Sequence, residues 1–156
     1  MSVQTVGEMT SKHSTLEVSA DQVDAYADVV NWTHLGGSAN SVTPGGGEHM
    51  TGSSHTFTGH DPVIGIGKRN PITHTVRIVY TEEESEAADL IDGFYENQTK
   101  VWLRHKPGGD DGHGVFVVRG WFTGRVEPPT DATSGDILLV EVPFFGRAYP
   151  MVSQPT

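Results

Sequence analysis

Ile72, His74, Val76, Ile78 and Tyr80 alternate with Thr73, Thr75, Arg77 and Val79, the cleanest alternation in the chain and the mark of a half-buried strand. The hydrophobic period then lengthens to about 3.6 residues. Ala87, Leu90, Ile91 and Phe94 fall at i, i+3, i+4 and i+7, one apolar stripe along a helix. Thr81 with Glu84 three residues on reads as a capping box, and Glu82, Glu83 and Glu84 lie at the positive end of the helix dipole. The spacing predicts a helix over about residues 82–97, with Glu96-Asn97-Gln98 ending it. Gly93 weakens this helix by roughly 1 kcal/mol relative to alanine. Val101 and Leu103 restart the strand period, with Lys100, Trp102 and Arg104 on the other face.

Around this block the pattern is strand, turn and glycine loop. Thr15 to Ser19 carries Leu16 and Val18 two apart, and Asp28 to Leu35 repeats that signal less cleanly. Ala20 to Ala27 reads as a helical turn or more strand, with strand and turn favoured. Ser53 to Thr58 alternates, with His55 and Phe57 on one face, and Asp61-Pro62 marks a turn. Pro107-Gly108-Gly109-Asp110-Asp111-Gly112 reads as a hairpin tip between a strand reaching His105-Lys106 and a nearly continuous apolar run from Gly114 to Thr123. Leu138, Val140, Val142 and Phe144 share a face of a last strand, where Pro143 removes a ladder donor and predicts an edge or a bulge. The organisation expected is a flexible arm over residues 1–14, one β domain over 15–147 and a tail over 148–156. About seven to eight strands and one flanking helix make a mainly β fold, a β-sandwich or partly closed barrel.

Composition fits this picture, with 35% hydrophobic residues, 19 glycines and 9 prolines among 156 residues, the balance of short strands joined by turns. In Thr43-Pro44-Gly45-Gly46-Gly47 the glycines lose much backbone entropy on ordering, so this loop is expected to be mobile unless a partner fixes it. There is no cysteine, which excludes disulfides and thiolate metal sites. Met1 to Thr5 lacks a basic region followed by an apolar run, so no signal peptide is expected, and no apolar stretch is long enough to span a membrane. A formal charge of −10 argues against a conventional nucleic-acid binder.

Candidate chemistry is sparse. His49, His55 and His60 are five or six apart, without the His-x-His alternation that a metal site on strands would favour, and read as dispersed surface histidines. His105 and His113 flank the Asp110-Asp111 tip and are expected to face solvent. Gly65-Ile66-Gly67-Lys68-Arg69-Asn70 lacks the third glycine and the following helix of a dinucleotide fingerprint, and Lys68-Arg69 reads as a charged turn. No nucleophile elbow occurs, and the paired acids sit in a loop tip and a helix cap, where water screens them. No catalytic, cofactor-binding or metal-binding residue is assigned, and the chain is expected not to be an enzyme. Trp32, Trp102 and Trp121 lie within strand patterns, as core or interface residues. Seven acids, Glu82, Glu83, Glu84, Glu86, Asp89, Asp92 and Glu96, fall on the predicted helix, as a solvated face or as a contact with basic residues of another subunit.

The strand from Ile72 to Tyr80 entering the acidic helix resembles the core of bacteriophage tail tube (major tail) proteins. So does the hairpin Val101-Trp102-Leu103-Arg104, Pro107-Gly108, Val115-Phe116-Val117-Val118-Arg119-Gly120-Trp121-Phe122, and the glycine loop after Thr43 is similar in placement to a family loop. The resemblance covers roughly Asp28 to Phe145 and rests on the order of these pieces. It implies a β-sandwich with one flanking helix, six copies closing into a ring around a lumen, and rings stacking into a virion tail tube through which DNA passes without specific binding. The partners implied are the chain itself and other tail proteins, with assembly in the host cytoplasm, no cofactor and no membrane. Six copies at −10 each would carry roughly −60 per ring, and an acidic lumen would repel phosphate. Gly45, Gly46, Gly47, Lys68, Arg69, Pro107, Gly108, Asp110 and Asp111 are the candidate assembly contacts, and Met1 to Ser14, Pro44 to Thr51, Pro107 to Gly112 and the C-terminal tail are expected to order when rings stack. Some family members carry a further immunoglobulin-like domain, for which this chain has no room. A small-ligand or carbohydrate-binding β module is the alternative.

Overall fold

A computed structural model describes residues 14–84, 86–109, 114–133 and 135–149, and the backbone of 152–153. The strands are β1 (Thr15–Ser19), β2 (Thr33–His34), β3 (Ala39–Thr43), β4 (His49–Ser54), β5 (Val63–Arg69), β6 (Ile72–Val79), β7 (Val101–Lys106), β8 (Gly114–Phe122), β9 (Leu139–Ala148) and β10 (Val152–Ser153). The helix α1 (Ala87–Glu96) lies between β6 and β7. Eight strands form one antiparallel sheet in the order β2-β1-β7-β8-β9-β6-β3, with β10 beside the start of β8, while β4 and β5 pair only with each other. Side chains of β1 and β6, four places apart in that order, enter one core with α1, so the sheet wraps around the helix. Among the described residues its ends do not meet, and the result is a mainly β sandwich, partly closed, with one flanking helix.

The alternation in the sequence decides which face each strand buries. Leu16, Val18, Val76, Ile78, Val101, Leu103, Val118, Phe122, Val140, Val142 and Phe144 meet in the core. Ala87 and Ile91 of the helix stripe are buried there, and Leu90 and Phe94 pack against it, with Phe94 stacked 6.4 Å from Phe122. A second cluster, on the other face of β7 and β8, joins Trp102, Val115 and Val117 to Val29, Val23, Tyr26, Trp32 and Tyr149. The segment between β1 and β2, including a 3-10 turn at Tyr26–Asp28, therefore lies over the sheet and adds only the two-residue β2. Asp21 closes this segment by accepting from the backbone N–H groups of Val30 at 2.9 Å and Asn31 at 3.0 Å. Those bonds, Asn31's first, hold its carboxyl below the usual range.

Local departures from the sequence pattern have identifiable causes. The helix starts at Ala87, with Glu86 as its N-cap, because the Thr81 hydroxyl donates to the Glu86 carboxylate instead of capping at its own position. Glu82, Glu83 and Glu84 thus precede the helix and leave it Asp89, Asp92 and Glu96. It ends in a Schellman arrangement: Gln98 N–H donates to Tyr95 O at 3.3 Å and Thr99 N–H to Phe94 O at 3.0 Å. Gln98 sits at φ 50°, a conformation that usually selects glycine. Strand β9 lies between β8 and β6 rather than at an edge. Pro143 is tolerated because its face of the ladder meets the end of β8: Thr123 N–H donates to Pro143 O at 3.0 Å, and a side chain at Gly124 would strike the proline ring. Within the expected tail, Ala148 still belongs to β9, and Val152 pairs with Val115. Residues 1–13 of the expected arm lie outside the described residues.

Candidate functional site

Of the residues proposed for assembly, Gly47 and Arg69 line one hollow. Gly45, Gly46 and Gly47 clamp onto the start of β6. Thr73 N–H donates to Gly45 O at 2.9 Å, and Gly47 N–H donates to Pro71 O at 3.1 Å. A Cβ at Gly45 would lie 2.5 Å from Thr73 O, and Gly46 and Gly47 adopt φ of 72° and 78°. The glycines are thus explained by close approach and left-handed backbone within the subunit. Pro107 O accepts from the Ser14 hydroxyl at 2.5 Å, Gly108 follows it in the turn after β7, and Asp110 and Asp111 lie outside the described residues. Lys68 and Arg69 end β5 instead of forming a turn, because β5 pairs with β4 through to His49↔Arg69.

That pairing creates the largest surface feature that sequence reasoning missed. Every residue of β4 and β5 is exposed, and the hairpin presents Met50, Val63, Ile64 and Ile66 to solvent. Thr51↔Ile66 and Ser53↔Ile64 share one face, whereas Gly52 and Gly65 stand opposite each other with nothing within 4 Å of either missing side chain. One side carries Ile64 and Ile66 beside Thr51 and Ser53, and the other carries Val63 and Ser54 beside the paired glycines. The strand expected over Ser53 to Thr58 is in fact β4, ending at Ser54.

The outer face of β8 and β9 carries Trp121 paired with Phe145, both partly exposed, and Arg119 paired with Arg147. Lys100 lies over the Trp121 ring at 5.1 Å. Nearby on β6 and β9, Arg77 pairs with Glu141. By contrast Gly120 and Gly146, directly opposite each other, let β8 and β9 approach so closely that a Cβ at Gly120 would lie 2.0 Å from Phe145 O.

A buried charge group holds the β1–β2 segment to this outer face. Glu17 is 1% exposed and contacts the Arg104 guanidinium, with Lys106 Nζ at 3.4 Å. Arg104 also donates to Tyr26 Oη at 3.1 Å and stacks 3.9 Å over Trp32. Burial opposes the Arg104 charge, but the bonds to Glu17 and Tyr26 outweigh it and its pKa is raised. The charges are paired and pinned by packing, although Glu17 Oε1 and Arg104 Nε lack hydrogen-bond partners, an arrangement suited to holding structure.

Among the described residues no three His, Asp or Glu side chains converge as metal ligands. His105 is half-buried rather than solvent-facing, and His74 is buried in β6 with its Nδ1 unpartnered. Burial lowers the pKa of both, and the charge of His105 lowers that of His74 further. His49 Nδ1 lies 3.1 Å from Gly67 O within the β4–β5 hairpin, and His113 falls outside the described residues.

No protein-family model matches the sequence, and no curated protein does. Solved structures are similar in fold. A chain of the PVC sheath–tube complex of an extracellular contractile injection system, in the extended state, is 18% identical with a TM-score of 0.63, over 96% of this chain and 93% of that one. A chain of the anti-feeding prophage cap, a tube-terminating cap, is 13% identical with a TM-score of 0.62, over 100% and 97%. A chain of the PVC sheath/tube terminator in its extended state is 16% identical with a TM-score of 0.60, over 97% and 100%. At these identities the likeness concerns the fold, which spans nearly the whole of each chain.

Proposed function

We propose that this chain is a structural subunit of a tail tube, closing into hexameric rings that stack around a lumen for DNA passage, with other tail proteins as further partners. The observation that carries the reading is the β4–β5 hairpin, whose residues are all exposed and whose Met50, Val63, Ile64 and Ile66 join neither core cluster. An apolar, two-stranded hairpin has little stability of its own in water and is an association hazard unless another chain covers it. The fold shared with chains of contractile injection systems supports the same conclusion. Assembly in a host cytoplasm and residence in a virion tail follow from this role. Electron microscopy of the concentrated full chain tests it: six-fold rings or tubes are expected, and a monomer at every concentration overturns it.

An open groove of about 580 Å³ favours the alternative of a carbohydrate-binding module, because Tyr95 and Trp121 line it beside Glu96 and Gln98. Titration with oligosaccharides decides this: saturable quenching of Trp121 fluorescence supports the module, and no change removes it.

A further inference from the structure

The chain carries 20 acidic side chains against 10 lysines and arginines, yet three of those cations converge on one hollow. Arg119 on β8 stands directly opposite Arg147 on β9, and like charges facing across a ladder repel. Lys100, just before β7, lines the same space of about 310 Å³ with Asp24 and Tyr149. Arg147 also borders a neighbouring hollow of about 410 Å³ that includes Arg69. Among the described residues only Arg119 meets an acid here: its Nη1 lies 3.0 Å from Asp24. The Arg119 side chain is 11% exposed and the Asp24 side chain 104%, so water screens the one negative charge present. Arg119 Nε is buried without a hydrogen-bond partner. Among the described residues the hollow is therefore short of negative charge.

The complementary group is present elsewhere on the same chain. Glu82, Glu83 and Glu84 are consecutive and exposed on the approach to α1, and Glu83 and Glu84 make no hydrogen bond or ion pair among the described residues. The helix they lead into packs on the core face of the sheet, whereas the hollow opens from the outer face between β8 and β9. Two different, complementary patches on one subunit define a head-to-tail contact, the kind that closes into a ring when its rotation allows. We infer that the Lys100–Arg119–Arg147 hollow receives the Glu82–Glu84 run of a second copy, carboxylates pairing with guanidinium groups that the described residues leave under-neutralised. This rests on the ring-forming reading above and names one of its contacts.

The test uses the full chain in three forms. One carries Lys100→Glu and Arg147→Glu, the second carries Glu83→Lys and Glu84→Lys, and the third carries all four changes. Arg119 is left intact because it packs 5.1 Å over Trp102. With circular dichroism confirming folding, each two-residue variant is expected to raise the concentration needed for assembly about tenfold or more, by sedimentation velocity. The four-residue variant is expected to recover assembly, because every interface then carries the inverted pair. No recovery in that variant, or wild-type assembly in either two-residue variant, overturns the contact. A rise in wild-type Tm with inorganic phosphate, absent from the Lys100→Glu/Arg147→Glu variant while assembly is unchanged, also overturns it and assigns the hollow to a free anion. Rings that form in wild type and persist in the variants defeat this contact alone, whereas wild type that never forms rings defeats the ring reading as well.

Discussion

One substitution, glycine to alanine, is expected to have opposite effects at two positions where glycines face each other across a ladder. At Gly120 the added methyl would lie 2.0 Å from Phe145 O and 2.5 Å from Gly146 Cα. Carbon atoms rest about 3.5–4.0 Å apart, so β9 must move off β8 by about 1 Å or more. Both glycines are buried, and the displaced ladder bonds are not replaced by water. Two such groups left unsatisfied cost about 1–3 kcal/mol each, which gives about 3–5 kcal/mol with the lost packing. For a chain of this size that lowers Tm on the order of 10 °C. At Gly65 a methyl meets nothing within 4 Å, and the backbone is not left-handed. There alanine narrows the unfolded ensemble and is expected to stabilise by up to about 1 kcal/mol. Urea unfolding followed by tryptophan fluorescence, extrapolated linearly, measures both. The reasoning fails if Gly120→Ala stays within about 1 kcal/mol of wild type, or if Gly65→Ala is as damaging as Gly120→Ala.

Glu17→Ala leaves Arg104 and Lys106 without their shared buried carboxylate and is expected to cost about 3–5 kcal/mol at pH 7; a loss under about 1 kcal/mol would show that the group contributes little. The lowered pKa values of His74 and His105 mean that the unfolded chain takes up protons first as pH falls. Their contribution is full above the unfolded value of about 6.5 and declines as pH drops from there toward the folded values, by at most about 1.4 kcal/mol per pH unit for each histidine. Urea midpoints compared at neutral and mildly acidic pH should fall in wild type and fall less in His74→Gln, and parallel profiles would refute the assignment. Gln98→Gly relieves the left-handed residue behind α1 and should raise stability by about 0.5–1 kcal/mol in the same assay, whereas destabilisation would mean that the Gln98 side chain holds the turn.

Where one face of an element is buried and the other wet, the sequence was legible. That holds for β6 with Val76 and Ile78 inward, for β9 with Val140, Val142 and Phe144, and for the stripe through Ile91. The β4–β5 hairpin buries neither face, so no alternation could announce it, and its glycines read as loop. Thr81 and Glu84 matched a capping pattern, but the threonine found the Glu86 carboxylate, a competition that spacing alone cannot rank. Pro143 marked a missing neighbour correctly in a local sense, though the neighbour is lost only where β8 ends. The basic hollow could not be read at all, since Asp24, Lys100, Arg119 and Arg147 are brought together only by pairing strands distant in the chain.

The bare hairpin also bears on how the chain can vary. Its amides sit in a two-stranded unit joined to the rest by the glycine clamp, so in the lone subunit they open locally at little cost compared with the ladder of β8 and β9. Substitutions there shift the folding equilibrium by about 1 kcal/mol at most, while those at Gly120, Glu17 or Ile91 act on it more strongly. Tolerance to mutation is thereby divided along the chain. A hairpin under weak folding constraints can drift toward a new neighbour, and the body that carries it stays the same.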